Sequence, residues 1–309
     1  MSGASAGDPV FVRSPTELRD PATVDLDLLD TPELLARIHA ADATVPGAVA
    51  AALPELARAV DLAVAALRRG GRVHYAGAGS SGRLAVLDAA EIPPTFGVPP
   101  DRFVAHIAGG DAALRAALES VEDDAGRGRA ELAAVIAAGD VLVGLAASGR
   151  TPYLAGAFAA AAAAGAATVL VTSNPAAPLA AGRDVCVVVD TGPEVITGST
   201  RMKAGTAQKM VLHTFSTGVL VRLGHTYSNL MVDLRATNAK LRGRTLAILA
   251  EATGAAPDDC AAVLTAAGGE LKTALVALLT GASPGEARAA LAAADGHART
   301  ALAALSPRT

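Results

Sequence analysis

The sequence predicts an α/β protein with a mostly parallel, doubly wound sheet, helices on both faces, and a small helical region at the C-terminal end. Short, continuously apolar segments alternate with helical patterns between residues 72 and 189. Such segments are typical of parallel strands that helices cover on both faces. Beyond residue 200 the spacing of apolar residues is helical throughout, which indicates the appended helical region.

Each element follows from its local pattern. The first 30 residues are polar with interspersed proline and aspartate, which predicts an extended arm, and residues 31–69 have helical spacing that breaks near Pro46. The predicted strands cover residues 72–76, 103–108, 141–146, 167–172 and 185–189. The predicted helices cover residues 83–90, 112–137, 153–164 and 202–222, and short helices follow from residue 245. We therefore divide the chain into an N-terminal arm with helices at 1–60, an α/β domain at 61–240 and a small helical region at 241–309.

The composition limits the class of protein. A net charge of −4 offers no excess of cationic side chains for neutralising phosphates, so we expect no nucleic-acid partner. Two cysteines, Cys186 and Cys260, and the lack of a leader pattern predict a cytoplasmic protein. Residues 154–171 carry no charge, but they are mostly alanine and glycine and Gly165 divides them. They predict a crossover helix and a buried strand, and we expect no membrane span.

A glycine-rich turn, GAGSSG at residues 77–82, follows the first predicted strand and precedes a helix. This G-x-G-x-x-G spacing also occurs in dinucleotide sites, which place an acidic residue at the end of the next strand. Here Asp111 comes only after two further glycines. The hydroxyls of Ser80 and Ser81 would crowd a pyrophosphate but suit a single phosphoryl group. Together with Gly79 and the free N–H groups of the helix start, they predict a phosphate site.

A second turn of the same kind follows the strand at residues 141–146. Ser148, Gly149 and Thr151 stand directly before Pro152, which is well placed for the first turn of a helix. In open parallel sheets, ligands bind at the carboxyl ends of the strands where the strand order reverses. The two turns therefore predict one phosphorylated small molecule held between them.

Longer strings resemble a known family. GAGSSG paired with AASGRT resembles the sugar isomerase (SIS) domain, a phosphosugar-binding α/β module. Residues 16–240 resemble the N-acetylmuramic acid 6-phosphate etherases, and the helical tail does so more loosely. Asp20 departs from the pattern, since the family usually has asparagine there. The strings that carry the resemblance are LDAAEIPPTFGV, IAGGDAALRAALESVEDD, GLAASGRTPY, TGSTRMKAGTAQKMVLHTFSTG, NLMVDLRATNAKL and KTALVALL.

The resemblance implies cleavage of the D-lactyl ether at C3 of the phosphorylated amino sugar, in amino-sugar catabolism and cell-wall recycling. In the open-chain sugar the C2 proton is α to an aldehyde, so lactate can leave by elimination and water can add back. The resemblance makes Glu122 the base at C2, and Glu91 the acid for the departing oxygen and then the base for water. By residue pattern alone, Glu122 fits an acidic helix face equally well. No metal or cofactor is implied, because the aldehyde acts as the electron sink.

Further polar residues are candidates for substrate binding. Glu194 is a candidate for sugar hydroxyls. Arg201 and Lys203, next to Ser199, fit the lactyl carboxylate, a phosphate, or ordinary charges at the start of a helix. The pattern leaves these readings open.

Two other functions share the predicted fold and phosphate site. An aldose–ketose isomerase also removes the C2 proton, and a non-catalytic phosphosugar sensor, such as the relatives of glucokinase regulatory protein, would only bind. Neither needs an acid for a leaving group, so Glu91 discriminates them from an etherase.

The position of Glu91 also bears on assembly. If the helix after the first turn runs unbroken to Glu91, that residue lies about 13 Å from the phosphate turn. The alternative is an early end of the helix before Pro93. We therefore predict a homodimer with a shared active site, in which Glu91 reaches the phosphate turn of the second copy.

Overall fold

Five parallel strands form the central sheet. The computed structural model describes residues 14–234 and 239–306, with the side chains of 239 and 240 excluded. The sheet has the order β2-β1-β3-β4-β5, and every neighbouring pair is parallel. The predicted parallel sheet is thereby confirmed. Its strands are β1 (Val73–Gly77), β2 (Phe103–Ile107), β3 (Val141–Leu145), β4 (Ala167–Thr172) and β5 (Val185–Val188).

The helices surround this sheet and continue beyond it. In the described ranges, short 3-10 helices occur at Pro15–Glu17, Pro21–Thr23, Leu26–Leu28, Val121–Asp123 and Pro178–Ala180. A two-stranded hairpin pairs β6 (Thr226–Tyr227) with β7 (Leu230–Met231). The α-helices are α1 (Thr31–Asp42), α2 (Val45–Ala51), α3 (Leu53–Arg68), α4 (Gly79–Phe96), α5 (Ala112–Arg115), α6 (Ala125–Ala133), α7 (Pro152–Ala164), α8 (Lys203–Arg222), α9 (Ala239–Thr253), α10 (Pro257–Ala266), α11 (Leu271–Thr280), α12 (Pro284–Ala293) and α13 (Ala298–Leu305).

Each face of the sheet packs against its own set of helices. On one face, α3, α4 and α8 contribute Val64, Ala85 and Phe215 to a buried apolar cluster with the strands. On the opposite face, α6 and α7 contribute Leu132 and Phe158 to a second cluster. Strands β1 and β3 are buried along their whole length, which explains why they read as continuous apolar segments.

The strand order reverses between β1 and β3. The chain leaves β1, returns to the sheet at β2 on one side, and then crosses to β3 on the other side. Gly77, the last residue of β1, is aligned with Ile107 of β2 and with Leu145 of β3. The turns that follow β1 and β3 therefore leave the sheet at neighbouring points, and the crevice between them is where ligands bind in such folds.

Helix α4 is longer than predicted. It continues through Pro93 and Pro94 to Phe96 and ends at Gly97, which has a left-handed φ of 66°. The expectation that the helix ends before Pro93 is wrong. Each proline removes one intrahelical hydrogen bond, and α4 nonetheless continues beyond both of them. Helix α4 therefore runs unbroken from the first turn past Glu91.

The predicted helix at 112–137 is wrong as a single element. After α5 the chain passes through Ser120, whose φ of 61° is left-handed, and then through the 3-10 helix at Val121–Asp123. The Asp124 side chain accepts a hydrogen bond from the backbone N–H of Arg127 at 2.8 Å and thereby caps α6. Aspartate and serine favour such caps and turns over helix interiors, and this preference outweighs the helical spacing here.

The two ends of the chain are helical and contribute no strand to the five-stranded sheet within the described residues. The predicted arm contains three 3-10 helices in its described part, while residues 1–13 lie outside the described residues. The C-terminal helices pack around Leu249, Leu271 and Leu275 in a cluster of their own, which confirms the predicted helical region. Helix α3 passes through residue 60, where we place a boundary, and the division of the chain at 60 and 240 stays a prediction.

Within the described residues, no single helix is both long and apolar enough to cross a membrane. Helices α10 and α11 reach that length and composition only as a pair, and they are bent by 119° at their junction.

Candidate functional site

The first glycine–serine turn joins β1 to α4 at the reversal point of the sheet. Gly79 has a left-handed φ of 53°, and Gly82 packs so closely on the strands that an added Cβ would lie 2.6 Å from the Cγ1 atom of Ile107. Ser80 and Ser81 are half-buried. Neither hydroxyl has a hydrogen-bond partner among the residues that the structure describes. The turn thus offers two free hydroxyls and the open N–H groups of a helix start.

The second turn lies between β3 and α7. An added Cβ at Gly149 would lie 2.3 Å from the Cβ atom of Ala177, so this position requires glycine. The Ser148 hydroxyl accepts from the backbone N–H of Arg150 at 3.3 Å and can still donate. The Thr151 hydroxyl makes no cap hydrogen bond to α7. Both predicted hydroxyls are therefore available at the crevice.

The segment after β4 supports the second turn. The side-chain amide of Asn174 donates to the carbonyl oxygen of Ser148 at 2.8 Å, and the hydroxyl of Thr172 donates to the carbonyl oxygen of Ala147 at 3.1 Å. These two hydrogen bonds help to fix the shape of the turn. The sequence analysis missed them, although the polar string TSNP directly after a buried strand is a local signal.

Glu122 lies at the same edge of the sheet as the two turns. Its neighbour Val121 packs in the core cluster that also contains Ala78 and Tyr153, which flank the two turns. The Glu122 side chain is exposed.

Arg83 connects the first turn to the segment that leads to Glu122. Its Nε atom donates to the carbonyl oxygen of Leu114 at 3.2 Å, and its Nη2 atom donates to the carbonyl oxygen of Ala116 at 2.8 Å. The structure thus brings Ser80, Ser81, Ser148, Thr151 and Glu122 to one edge.

Glu91 does not lie at this edge. It is exposed near the opposite end of α4, about 13 Å along the helix axis from Gly82. Leu87, one turn earlier on α4, has 46% of its surface exposed. Burial favours the neutral form of a carboxyl group. A carboxyl group that must donate a proton near neutral pH is therefore expected in a buried position. In a single chain Glu91 has neither the burial nor the position for that role.

A buried carboxylate holds α4 in place between its two ends. Asp88 accepts hydrogen bonds from the hydroxyl of Tyr75 on β1 at 2.9 Å and from the hydroxyl of Ser216 on α8 at 3.0 Å. Burial raises the pKa of Asp88, and it raises the pKa of Tyr75 as well. These contacts join one helix position to both the sheet and a neighbouring helix, so they fix the rotation and axial position of α4.

Glu194 and Lys203 have partners inside the chain. The fully buried Glu194 carboxylate accepts from the backbone N–H groups of Lys203 at 2.8 Å and Ala204 at 2.9 Å, which caps α8. The Lys203 Nζ atom donates to the carbonyl oxygen of Thr191 at 2.8 Å. Ser199 lies half-buried just before α8. Substrate contacts by these residues stay predictions, and the contacts of Glu194 and Lys203 do not support them.

A second buried polar cluster lies inside the sheet. His74 on β1 lies 3.0 Å from His106 on β2 and 3.2 Å from a carboxylate oxygen of Asp140, measured between side-chain nitrogen or oxygen atoms. Burial lowers the pKa of His74, and burial with the neighbouring His74 lowers the pKa of His106 to about 4. Both rings are therefore neutral near pH 7. The cluster lies within the strands rather than at their carboxyl ends.

Models of two known domain families match overlapping parts of this chain. The model of the glucokinase regulatory protein N-terminal SIS domain matches residues 55–162, and that of the SIS domain matches residues 119–217. A phosphoheptose isomerase structure from Francisella tularensis aligns with a TM-score of 0.49 and 19% identity, over 62% of this chain and 98% of that chain.

Curated relatives are far more similar. An N-acetylmuramic acid 6-phosphate etherase from Thermobifida fusca is 62% identical over 86% of this chain and 87% of its own length. One from Symbiobacterium thermophilum is 52% identical over 84% of this chain and 87% of its own length. The chain therefore belongs to the family of the N-acetylmuramic acid 6-phosphate etherases.

Proposed function

We propose that this chain cleaves the D-lactyl ether of N-acetylmuramic acid 6-phosphate and yields N-acetylglucosamine 6-phosphate and D-lactate. The observation that supports the proposal is the edge of the sheet where the two turns with available hydroxyls lie at the reversal point, with Val121, the neighbour of Glu122, packed in the same cluster as Ala78 and Tyr153. The curated relatives bear the name of this activity. The reaction would serve amino-sugar catabolism and cell-wall recycling, and the free cysteines Cys186 and Cys260 fit a cytoplasmic location.

The proposed reaction is an elimination followed by an addition. The turns hold the phosphate, and Glu122 takes the C2 proton of the open-chain aldehyde. The C2–H electron pair forms the C2–C3 double bond, the C3–O bond breaks, and the lactyl oxygen receives a proton from Glu91. Water then adds at C3 with Glu91 as base, and Glu122 returns the proton to C2. Each positioned acid or base contributes about 10²–10⁴-fold to such a rate.

Glu91 would act in the site of a second copy. Helix α4 is unbroken and Asp88 anchors it, so Glu91 cannot fold back to the turn of its own chain. The exposed Leu87 beside Glu91 gives this stretch of α4 an apolar surface that a second copy would bury. A two-fold dimer buries the same surface on both chains and completes two sites at once. Burial there would also supply the apolar surroundings that favour a protonated carboxyl group.

A phosphosugar sensor is the second candidate. The match of residues 55–162 to the regulatory-protein domain favours it. A sensor and an isomerase both leave Glu91 without a task, whereas the etherase reaction uses it.

One incubation separates these functions. The protein is mixed with N-acetylmuramic acid 6-phosphate in H₂¹⁸O, and D-lactate and the sugar product are analysed by mass spectrometry. We expect D-lactate to form with its oxygens unlabelled and ¹⁸O to appear at C3 of N-acetylglucosamine 6-phosphate. Formation of a ketose would identify an isomerase, and binding without any product would identify a sensor. Either result contradicts the proposed function.

A further inference from the structure

A cationic cavity lies directly beside the first turn. It has a volume of about 420 Å³ and opens between the start of α4 and the start of α8. Its polar lining consists of Ser80, Arg83, Arg201, Thr206 and Lys209. Three of these side chains are cationic, and no acidic residue in the described ranges lines the cavity. The cavity therefore favours an anion.

Two of the three cations have no partner of their own. Arg201 and Lys209 are exposed and form no hydrogen bond or ion pair within residues 14–234 and 239–306. Arg83 donates to the neutral carbonyls of Leu114 and Ala116, and it has no acidic partner among the residues that the structure describes. Three cations without an acidic partner in the described residues therefore line one cavity.

The position of the cavity suits one end of the proposed substrate. It lies on the face of the sheet that α4 and α8 cover, whereas the second turn leads into α7 on the opposite face. Ser80 belongs both to the first turn and to the cavity. A sugar phosphate held between the turns can therefore extend its other end past Ser80 into the cavity.

We propose that Arg201 and Lys209 bind the carboxylate of the C3 lactyl group and so select sugar phosphates that carry a second anion. This inference rests on the proposed function, since it concerns the same site. The substrate has two anionic groups, and the hydroxyls of the turns are neutral. Arginine binds carboxylates with two parallel hydrogen bonds, and lysine adds a point charge. Lys209 takes the place that the sequence analysis gave to Lys203, whose amine is occupied by Thr191.

The proposal has a consequence for product release. The carboxylate leaves with D-lactate, so N-acetylglucosamine 6-phosphate no longer engages Arg201 or Lys209. The cavity then binds the substrate but not the sugar product, which favours turnover over retention of the sugar product.

The test compares ligands that differ in one charge. N-acetylmuramic acid 6-phosphate, its neutral lactyl carboxamide and N-acetylglucosamine 6-phosphate are titrated by calorimetry into the Glu122→Gln protein, which does not consume them. Arg201→Met and Lys209→Met are then added to this background. The matched control is Arg222→Met, because Arg222 is an exposed cation at the other end of α8.

We expect each cavity variant to weaken binding of the acid about 10- to 100-fold, as for the loss of a charge-assisted hydrogen bond. Binding of the carboxamide and of N-acetylglucosamine 6-phosphate should stay within about twofold, as should all three ligands in Arg222→Met. Equal losses for acid and carboxamide, a loss for N-acetylglucosamine 6-phosphate, or unchanged binding of the acid would each overturn the proposal. Because N-acetylglucosamine 6-phosphate carries only the phosphate, weaker binding of this ligand in a cavity variant would show that the cavity holds the phosphate instead.

The proposed function has its own readout. If the wild-type protein releases no D-lactate while the acid still binds in an Arg201-dependent way, the etherase reaction fails and the carboxylate site stands. If lactate is released but binding of the acid and of the carboxamide changes equally in Arg201→Met, the etherase reaction stands and the carboxylate site fails.

Discussion

At its first turn, α4 presents free serine hydroxyls and open N–H groups, beside the edge that also carries Glu122. Near its other end it presents the exposed carboxylate of Glu91, next to the exposed Leu87. The residue that ends α4, Gly97, also packs against the segment after β7, since an added Cβ there would lie 2.0 Å from the carbonyl oxygen of Asp233. One unbroken helix thus carries the serine turn at one end and Glu91 near the other, and it keeps them apart.

The two ends of α4 differ in how many of the groups needed for the proposed reaction lie beside them. The first end has a crevice and free hydroxyls near Glu122, the proposed base, so we propose that it binds the phosphosugar within a single chain. The second end has the exposed carboxylate of Glu91, which has no hydrogen-bond or ion-pair partner within residues 14–234 and 239–306. A helix held at its centre by Asp88 cannot bring these ends together, so the proposed chemistry needs the second end of another copy. Shared sites of this kind make dimerisation a requirement of activity.

The largest expected effect concerns Glu122, the proposed base beside the first end of α4. Glu122→Gln should lower the rate of C2 proton exchange on N-acetylglucosamine 6-phosphate in D₂O by about 10²–10⁴-fold, because an amide cannot accept the proton. The exchange is followed by NMR. Glu119→Gln, at an exposed acid three residues earlier, is the control and should exchange at the wild-type rate. Unchanged exchange in Glu122→Gln would remove this residue from the role of base.

A smaller effect concerns binding at the first end. Ser81→Ala and Ser148→Ala should each raise KM about 10- to 100-fold with little change in kcat, because contacts to the phosphate exist in both the ground state and the transition state. Ser306→Ala, in the C-terminal region, should leave KM unchanged. Steady-state kinetics of lactate release measure this split. An unchanged KM in both turn variants would place the phosphate elsewhere.

The smallest effect concerns the anchor between the ends. Asp88→Ala leaves the buried hydroxyls of Tyr75 and Ser216 without their acceptor, which should lower the free energy of unfolding by about 1–2 kcal/mol. Urea denaturation measures it. Asp61→Ala, at an aspartate with 68% side-chain exposure, should change the free energy by no more than about 0.5 kcal/mol. Equal midpoints for both variants would mean that Asp88 does not anchor α4.

The same contrast explains what could be predicted from the sequence. Strands β1, β3 and β4 could be predicted because burial on both faces leaves continuous apolar segments. The edge strands β2 and β5 are only partly buried, but they are still mostly apolar. The turns at Ser80 and Ser148 were found because glycines and hydroxyls next to a strand end are local signals. The full length of α4 was not, because Pro93 and Pro94 usually end a helix, and the break at Ser120 was hidden by helical spacing.

Contacts between distant residues escaped prediction for a physical reason. The burial of Lys203 depends on Thr191 and Glu194, and the support of the second turn depends on Asn174. The grouping of Arg201 and Lys209 with Ser80 depends on how α4 and α8 pack. Such pairings are set by tertiary structure, so a single sequence does not show which residues they join, even where a local string such as TSNP marks one partner.

Subunit complementation tests most directly whether the two ends of α4 act in different copies. Inactive Glu91→Ala protein is mixed with inactive Glu122→Gln protein under conditions of subunit exchange, and D-lactate release is measured. In a mixed dimer, one site would combine the intact turns and Glu122 of the first variant with Glu91 of the second. Half of the randomly formed dimers would be mixed, with one good site each, so we expect about a quarter of wild-type activity.

The control is the double variant Glu91→Ala/Glu122→Gln mixed with each single variant, which should give no recovery because no site can combine both intact carboxylates. Native mass spectrometry verifies that mixed dimers are present. Recovery toward a quarter of wild-type activity is the predicted result. No recovery in a sample with proven mixed dimers would contradict the shared site and would require Glu91 to act within its own chain or not at all.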